Sequence, residues 1–235
     1  MSFMSNLAII TARGGSKRIP RKNVRDFCGK PILVYSIEAA IQSGLFDEIM
    51  VSTEDEEIAE IARRYGAKVP FLRSKKNADD YAGSEDVVIE VVDAYEELGR
   101  SFVDICCIYP TAPLISTAIL RQGYDKFKAD DADALLPVVK FSYPPQRALV
   151  DKNGNLAFMW KEFMDSRSQD LEPLYHDAGA FYFIKKDVLI SEKTLIPVGT
   201  KYFILDEFHV QDIDNISDWE LAEMKYRCLK EKNML

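Results

Sequence analysis

The sequence is poor in the residues that build disulfide frameworks and metal clusters. It has two histidines and four cysteines among 235 residues, and the cysteines show no metal-ligand spacing. Cys106 and Cys107 stand inside an apolar run, so we expect them, with Cys28 and Cys228, to be buried or incidental thiols rather than catalytic groups. This cysteine usage fits a reducing compartment.

Long hydrophobic runs and an excess of positive charge are also missing. No apolar stretch approaches the roughly 20 residues needed to cross a bilayer, and residues 1–10 lack the basic leader and long apolar segment of a secretory signal. The formal net charge of −8 argues against a general binder of nucleic acids or anionic membranes. We therefore expect a cytoplasmic protein that binds neither, in which any anion site is local.

What the chain does contain is an alternation of short apolar runs and helical patterns. This alternation predicts a mainly parallel sheet with helices on both faces, a three-layer α/β/α fold in one domain over residues 1–235. The predicted strands are Leu7 to Thr11, Ile49 to Ser52, Val103 to Ile108, Ala134 to Val139, Gly179 to Ile184 and Tyr202 to Leu205. The predicted helix starts are Pro31, a capping box of Thr53 with Glu56, Ser84, Ile119, and a capping box of Ser217 with Glu220.

Residues 140–176 interrupt the alternation. The turn sequences "YPPQ" and "NGN" and the irregular apolar stretch "LAFMWKEFM" are typical of an insertion. Phe158, Met159, Trp160 and Phe163 are candidates to cover a partner subunit, because exposed apolar patches mark interfaces. We expect this insertion to support a homodimer.

The stretch "ARGGSKRIPRKN", residues 12–23, follows the first predicted strand and gathers positive charge in an acidic protein. Its glycines allow a sharp turn that brings backbone N–H groups close to a ligand, while its arginines and lysines supply charge. These features together favour a polyphosphate cradle. The alternative is a solvated basic loop or a localisation-like patch. No G-x-G-x-x-G occurs, and Lys17 lacks the spacing of G-x-x-x-x-G-K-[ST], so neither a dinucleotide fingerprint nor a Walker loop is present.

The loop resembles the signature of the CMP-sialate synthetase family, nucleotidyltransferases that make CMP-activated acidic sugars. The resemblance implies a Rossmann-like nucleotidyltransferase fold that binds CTP. It also implies that Arg13 and Lys17 hold the triphosphate and that Asn23 approaches the α-phosphate. The implied nucleotide-binding residues of the loop are Ala12, Arg13, Gly14, Gly15, Ser16, Lys17 and Asn23.

Asp212 and Asp214, in "VQDIDNISDW", are spaced i, i+2. In an extended segment this spacing points both carboxylates to one side, where they can share a cation. Mg²⁺ takes one or two carboxylates and completes its shell with water and phosphate oxygens, so two acids suffice. The alternative is that they are loop carboxylates, or that acids here favour the next helix N-terminus. The resemblance implies the metal role, because the family's D-x-D motif holds a catalytic Mg²⁺.

Arg73 in "FLRS" and Ser84 in "AGSED" match family positions that help recognise the cytosine nucleotide. From sequence alone, Ser84 is equally well explained as a helix cap. Both alternatives stay open here.

Three further stretches bear on the acceptor sugar. In "CCIYPTAPL", Tyr109 stands where synthetases of the N-acetylneuraminate type usually have Gln, and "FSYPPQRAL" and "YHDAGAFYFI" resemble the pseudaminic acid cytidylyltransferases of the same wider family. The resemblance implies that the sugar, an acidic nine-carbon acceptor, is faced by Tyr109, Tyr143, Gln146, Arg147, His176 and Asp177. Arg147 suits the substrate carboxylate, and His176 is either a general base or a structural residue.

The interpretation that joins these features is a Mg²⁺-dependent cytidylyltransferase that transfers CMP from CTP to an acidic sugar of the pseudaminic type. Two alternatives use other acceptors, N-acetylneuraminate or legionaminate. A third alternative is a nonenzymatic nucleotide sensor on the same fold. All of the chemistry depends on one spatial expectation, namely that the N-terminal loop and the late aspartate pair meet.

Overall fold

The computed structural model describes residues 5–78 and 82–235. Its central element is a seven-stranded sheet. The strands of this sheet are β1 (Asn6–Thr11), β4 (Glu48–Ser52), β5 (Asp104–Ile108), β6 (Ala134–Lys140), β9 (Tyr175–Asp177), β10 (Phe181–Lys185) and β11 (Lys201–Ile204). Their order in the sheet is β11-β6-β10-β5-β1-β4, and β9 also pairs with β6. Two separate two-stranded ribbons are formed by β2 (Asp26–Phe27) with β3 (Lys30–Pro31), and by β7 (Leu149–Lys152) with β8 (Asn155–Phe158).

The sheet is mainly parallel, as the sequence predicted. β4, β1 and β5 run parallel, and β6 and β11 form a second parallel pair. β10 lies antiparallel between these two groups, and β9 is antiparallel to β6. The α-helices are α1 (Ile32–Ser43), α2 (Glu56–Arg64), α3 (Ser84–Glu97), α4 (Thr117–Ala129), α5 (Lys186–Glu192) and α6 (Ile216–Glu231).

Helices cover both faces of the sheet, because alternate side chains of each strand point to opposite faces. In β1, Ala8 and Ile10 belong to an apolar cluster that includes α1, α2 and α4. Leu7 and Ile9 belong to a second cluster that includes α3 and α5. The three-layer arrangement is therefore confirmed.

Three predicted helix caps are wrong by one or two residues. α2 is capped by Asp55, whose side chain accepts from the Ile58 amide at 3.1 Å, rather than by Thr53. Gly83 occupies the N-cap of α3, so Ser84 is the first residue of the helix and not its cap. α6 has a capping box of Asn215 with Asp218, not of Ser217 with Glu220. In each case a neighbouring residue of the capping type was available.

A third apolar cluster joins the two ends of the chain. Ile19 of the basic loop and Ile213, between the two aspartates, are both almost fully buried in it. They pack with Phe27 and with Trp219 of α6. This cluster explains how segments nearly 200 residues apart are brought together.

The predicted insertion contains more regular structure than its sequence suggested. β7 and β8 form an antiparallel hairpin, and β9 returns the chain to the sheet. All of residues 141–177 are described, and none of them is buried in the single chain. Within the described residues, no helix has the length and apolar character that crossing a membrane requires.

Candidate active site

The basic loop lies at the carboxyl edge of the sheet, where β1, β4 and β5 end. The Ala12 amide donates to the Ser52 carbonyl at 3.0 Å, which holds the start of the loop against the end of β4. Open α/β sheets bind ligands at this edge. The loop is therefore placed where the fold offers a crevice.

Gly14 fits against the turn between β4 and α2. Its amide donates to Glu54 Oε1 at 2.7 Å, and a Cβ atom at this position would lie only 2.5 Å from Asp55 Oδ2. Such a distance is far inside van der Waals contact, so a larger residue would displace the Asp55 side chain that caps α2. The glycine allows the loop backbone to approach this closely.

Arg21 has a different role from the other loop cations. Its guanidinium pairs with Asp55 and Glu57, and its backbone is left-handed, with φ of 56°. The hydrogen bond with Asp55 raises the pKa of Arg21 further and lowers that of Asp55 below its usual value. Because its charge is matched within the chain, Arg21 ties the loop to α2.

The loop also meets the aspartate pair, which is the spatial expectation raised by the sequence. Arg18 Nη1 lies 2.6 Å from Asp214 Oδ2, and Lys22 Nζ donates to the Ile213 carbonyl at 2.7 Å. Burial lowers the pKa of Lys22, and the nearby charges of Asp214 and Asp212 oppose that shift. The two motifs therefore form one electrostatic site.

Both aspartates of the segment are accessible to solvent, whereas the isoleucine between them is buried. Ile213 points into the third apolar cluster, and Asp212 on one side of it is exposed while the Asp214 side chain is 40% exposed. Two accessible carboxylates offer the oxygen ligands that Mg²⁺ prefers, and their sharing of one cation stays a prediction. No group of three or more potential metal ligands was found among the described residues, so a metal here would need oxygens from substrate or water.

Two adjoining cavities of about 290 and 330 Å³ open beside the loop. Arg13, Lys22 and Asn23 line both, so the cavities form one cleft. The second cavity is lined in addition by Ser16, Lys17 and Arg18. The walls that belong to the first cavity alone include Thr11, Arg73, Asn77, Ser84, Tyr109 and Thr111.

Asn23 is buried at the junction of the two cavities. Its Nδ2 donates to the Arg13 carbonyl at 2.8 Å, and its Oδ1 has no hydrogen-bond partner among residues 5–78 and 82–235. An amide nitrogen carries two N–H groups, so Asn23 holds the loop with one and has another for a ligand. Its approach to the α-phosphate stays a prediction.

Arg73 is a nearly buried cation on the cavity wall, with 7% of its surface exposed. Its Nε donates to Ser52 Oγ at 3.1 Å and its Nη2 to the Ser52 carbonyl at 2.5 Å. Burial lowers the pKa of Arg73, while Glu54 and Glu90 act in the opposite direction. A desolvated guanidinium held by neutral oxygens keeps donors available for an uncharged or anionic ligand.

The six predicted sugar residues fall into two groups. Tyr109 lines the cleft, and Asp177 is linked to it through Tyr182, whose hydroxyl donates to Asp177 Oδ2 at 2.6 Å. The other four are absent from the walls of both cavities; they are Tyr143, Gln146, Arg147 and His176. Their contact with the sugar stays a prediction.

These four residues lie on or beside the insertion. Tyr143 is 90% exposed, and the His176 ring packs 4.9 Å from that of Phe141. Gln146 Oε1 and Arg147 Nε are shielded from solvent and lack a partner among the described residues. Gln146 Nε2 donates to the Glu172 carbonyl at 2.8 Å, and Arg147 Nη1 lies 3.4 Å from Ser168 Oγ.

Residues 7–212 match the cytidylyltransferase family. This match covers most of the chain, including the basic loop and the first aspartate. The chain belongs to the cytidylyltransferase family. The resemblance of the loop to CMP-sialate synthetases is thereby confirmed as a family relationship.

Two relatives of this cytidylyltransferase are informative. It is 46% identical over 225 residues to a pseudaminic acid cytidylyltransferase of Campylobacter jejuni, an alignment that covers 95% of this chain and 97% of the relative. It is 33% identical to a CMP-N,N'-diacetyllegionaminic acid synthase of Legionella pneumophila, over 94% of this chain and 95% of the relative. Both alignments extend through the insertion.

A solved structure supports the fold. This cytidylyltransferase superposes on a CMP:2-keto-3-deoxy-manno-octonic acid synthetase solved in complex with CTP, with a TM-score of 0.70. The superposition covers 97% of this chain and 99% of the other, at 17% sequence identity. The Rossmann-like nucleotidyltransferase architecture is therefore shared.

Three contributors to the site were not identified from the sequence. Tyr182 lies in an apolar strand, and its only signal was a phenol that needs a partner when buried. Asn77 belongs to a polar stretch with no motif, yet it lines the cleft and donates to Glu90 at 2.5 Å. Ile19 had no polar signal, although it anchors the loop.

Proposed function

We propose that this cytidylyltransferase transfers the CMP group of CTP to the anomeric hydroxyl of pseudaminic acid and releases pyrophosphate. The observation that carries the proposal is the meeting of Arg18 and Lys22 with the Asp212–Asp214 segment beside a two-part cleft. Three adjacent phosphates require several cations, and the loop provides them. The identity with the Campylobacter relative supports the choice of acceptor.

In this reaction, the oxygen of the anomeric hydroxyl attacks the α-phosphorus of CTP. The bond between the α-phosphorus and the bridging oxygen breaks, pyrophosphate leaves, and the hydroxyl proton passes to a base or to solvent. Arg13 and Lys17 are assigned to the triphosphate, where positive charge stabilises the departing pyrophosphate. Catalysis by positioning and charge requires no covalent enzyme intermediate.

Asp212 and Asp214 are assigned to a Mg²⁺ ion that accompanies the nucleotide. Their oxygen donors fit this ion, and their accessible side faces the same cations that would contact the phosphates. When bound, Mg²⁺ neutralises charge on phosphate oxygens. Arg18, which contacts Asp214 Oδ2, would lie beside both the ion and the nucleotide.

The acceptor is tested by pyrophosphate release from CTP and Mg²⁺ with a panel of sugars. The panel comprises pseudaminic, legionaminic, N-acetylneuraminic and 3-deoxy-octulosonic acids. We expect the highest kcat/KM with pseudaminic acid, and a preference for legionaminic or N-acetylneuraminic acid would assign one of the alternative acceptors. CTP binding without pyrophosphate release from any acceptor would favour the nucleotide sensor.

We further propose a homodimer that uses the insertion. Residues 141–177 form an ordered hairpin and strand with no buried residue, and its exposed apolar side chains include Leu156 at 74% and Met159 at 55%. A second copy of the chain would cover this surface. Sedimentation of the unmodified protein should show a dimer, and Leu156→Glu should weaken it. Lys152→Glu is the polar control from the same hairpin. A monomer at working concentration would contradict the proposal.

A further inference from the structure

A groove beside α1 and α4 is separate from the nucleotide cleft. Its larger cavity, of about 900 Å³, is bordered by Gln42 of α1, the first turns of α4, His209 and residues 233–235. Of the described residues that line this cavity, none also lines either cavity of the cleft. A ligand bound in the groove would therefore not occupy the place proposed for the nucleotide.

His209 is a nearly buried polar side chain on the wall of this cavity. It is 9% exposed, and its imidazole has no hydrogen-bond or ion-pair partner in the part of the chain that the structure describes. An imidazole always carries at least one N–H group that can donate. Because buried polar groups are normally hydrogen-bonded, an unpaired imidazole that borders a cavity points to a ligand in that cavity.

The start of α4 supplies further donors to the same cavity. This helix has 13 residues and is capped by Ser116, whose Oγ accepts from the Ile119 amide at 3.3 Å. Thr117 and Ala118 line the cavity, and their amides belong to the first turn, where a helix has no acceptors of its own. No acidic residue lies in that turn. The helix therefore presents unpaired N–H groups and positive partial charge at this point.

Arg121 adds a full positive charge to the cavity wall. Its Nε donates to the Ser43 carbonyl at 2.7 Å, and its Nη2 donates to the Gln42 carbonyl at 3.3 Å. Both partners are neutral, so they hold the guanidinium against the end of α1 without neutralising it. No carboxylate side chain is among the described residues that line the cavity. In a protein with a net charge of −8, this local positive charge favours an anionic ligand.

The size of the groove exceeds what an inorganic anion alone would fill. A second cavity, of about 230 Å³, adjoins the first at the start of α4. Glu38 lines this second cavity, but its carboxylate is paired with Lys30. Met234 and Leu235 give the larger cavity apolar surface. The groove therefore has room for an organic body attached to the anionic group.

We propose that this groove is a second ligand site that binds a phosphate-bearing small molecule, whose phosphate is held by the start of α4, His209 and Arg121. The oxygens of a phosphate accept several hydrogen bonds at once, and a helix start, an imidazole and a guanidinium all donate them. The site goes beyond the proposed function, because neither the basic loop nor the aspartate pair takes part in it.

The proposal is tested by an NMR titration of the complete ¹⁵N-labelled protein, in which individual amide signals locate the bound phosphate. The probes are glucose 6-phosphate, inorganic phosphate and glucose, each added at constant ionic strength without CTP or Mg²⁺. We expect both phosphate compounds to shift the amide signals of Thr117 and Ala118 in a saturable manner, and glucose to leave them unchanged. Tighter binding of glucose 6-phosphate would assign a phosphate ester, and equal or tighter binding of inorganic phosphate would assign the free anion.

Two substitutions test the walls of the site. His209→Phe keeps a ring but removes its donor, so the dissociation constant measured at Thr117 should rise by about tenfold, the scale of one hydrogen bond to a charged group. Gln122→Glu places a carboxylate on an exposed position of the cavity wall, and its repulsion of phosphate should raise the constant by about tenfold or more.

Lys126→Gln is the matched control, because it removes a cation from the same helix but outside the cavity wall. Lys126 is paired with Asp130 at 2.7 Å, and its variant should bind as the unmodified protein does. The amide signals of Gly14 and Gly15 report any phosphate bound at the basic loop, and their response should be the same in all three variants. If His209→Phe fails to fold, Gln122→Glu carries the test.

Shifts confined to the basic loop would overturn the proposal, as would unchanged dissociation constants at Thr117 in the folded variants. Shifts of the Thr117 signal by glucose alone would also contradict phosphate recognition. Absence of pyrophosphate release in the sugar assay would instead remove the proposed function and leave this site in place, so the two failures are distinguishable.

Discussion

The two edges of the sheet use charge in opposite ways. At the amino edge, where β4 and β5 begin, Glu48 and Asp104 have side chains only 2% exposed and are matched by cations. At the carboxyl edge, Arg18 and Lys17 line an open cleft. The amino edge is built for stability, and the carboxyl edge keeps its charge accessible for a ligand.

The pairing at the amino edge is nearly complete. Glu48 accepts from Tyr95 at 3.0 Å and contacts Arg100 and Lys68 at 3.0 and 3.2 Å. Asp104 Oδ2 accepts from Tyr124 and Lys128. Buried carboxylates are tolerated when they are paired and hydrogen-bonded in this way. Substitutions at the two edges should therefore separate stability from activity.

The largest effect is expected for Asp214→Asn at the carboxyl edge. Losing one of two carboxylates weakens the proposed Mg²⁺ site, so kcat/KM should fall by about a hundredfold or more. The fall should be measured by pyrophosphate release over a range of Mg²⁺ concentrations. Asp187→Asn, whose side chain is 92% exposed, is the control and should behave as the unmodified protein. An unchanged Mg²⁺ dependence would remove Asp214 from the site.

Arg13→Ala should have the next largest effect. Removing a charged contact to the triphosphate should raise KM for CTP and slow turnover, with a loss of roughly ten- to a hundredfold in kcat/KM. The matched control is Arg100→Ala at the amino edge, which should lower the melting temperature and leave both kinetic constants in place. Ordinary kinetics in Arg13→Ala would contradict the assignment of the loop.

Glu48→Gln should reduce stability without altering catalysis. The substitution removes a buried charge from between Arg100 and Lys68, and the loss should be about 1–2 kcal/mol. For a chain of this size that corresponds to a melting temperature lower by roughly 2–8 °C. Thermal unfolding and the KM for CTP should be measured on the same preparation. A changed KM would show that the amino edge is coupled to the cleft.

The smallest effect is expected in the pH dependence of the melting-temperature difference between Glu48→Gln and the unmodified protein. Burial raises the pKa of Glu48, but hydrogen bonds from Arg100, Lys68 and Tyr95 outweigh it, so the pKa lies below the usual value. A depressed pKa contributes stability above the unfolded-state pKa of about 4.3, and this contribution is lost as the pH falls through the folded-state pKa. The melting difference between Glu48→Gln and the unmodified protein should thus be constant above about pH 5 and shrink in stronger acid.

The sequence predicted the parts of this molecule that depend on local patterns. Apolar runs located six strands of the central sheet but missed β9 and the two short ribbons. The coincidence of glycines and cations at a strand end located the loop. Helix caps such as Asp55 were missed because several capping residues stood side by side, and only tertiary contacts chose among them. Arg21 was grouped with the other cations because its partners Asp55 and Glu57 are distant in sequence.

Contacts between distant segments could not be derived from spacing. The burial of Ile19 with Ile213 is what brings the loop to the aspartates, and neither residue carries a chemical signature. Likewise, Tyr182 was hidden in an apolar strand, because alternation predicts which face a side chain covers but not which partner its hydroxyl meets. The residue types indicated the chemistry of the site. Only the folded structure shows how the basic loop and the aspartate pair are brought together.

The central claim is that a nucleotide lies between the basic loop and the aspartate pair. Crystals grown with CTP and Mn²⁺, whose anomalous signal locates the ion, test it most directly. We expect Mn²⁺ about 2.1 Å from carboxylate oxygens of Asp212 or Asp214, also bound to a phosphate oxygen, with Arg13 and Lys17 on the triphosphate. Mn²⁺ and nucleotide bound away from both motifs would contradict it.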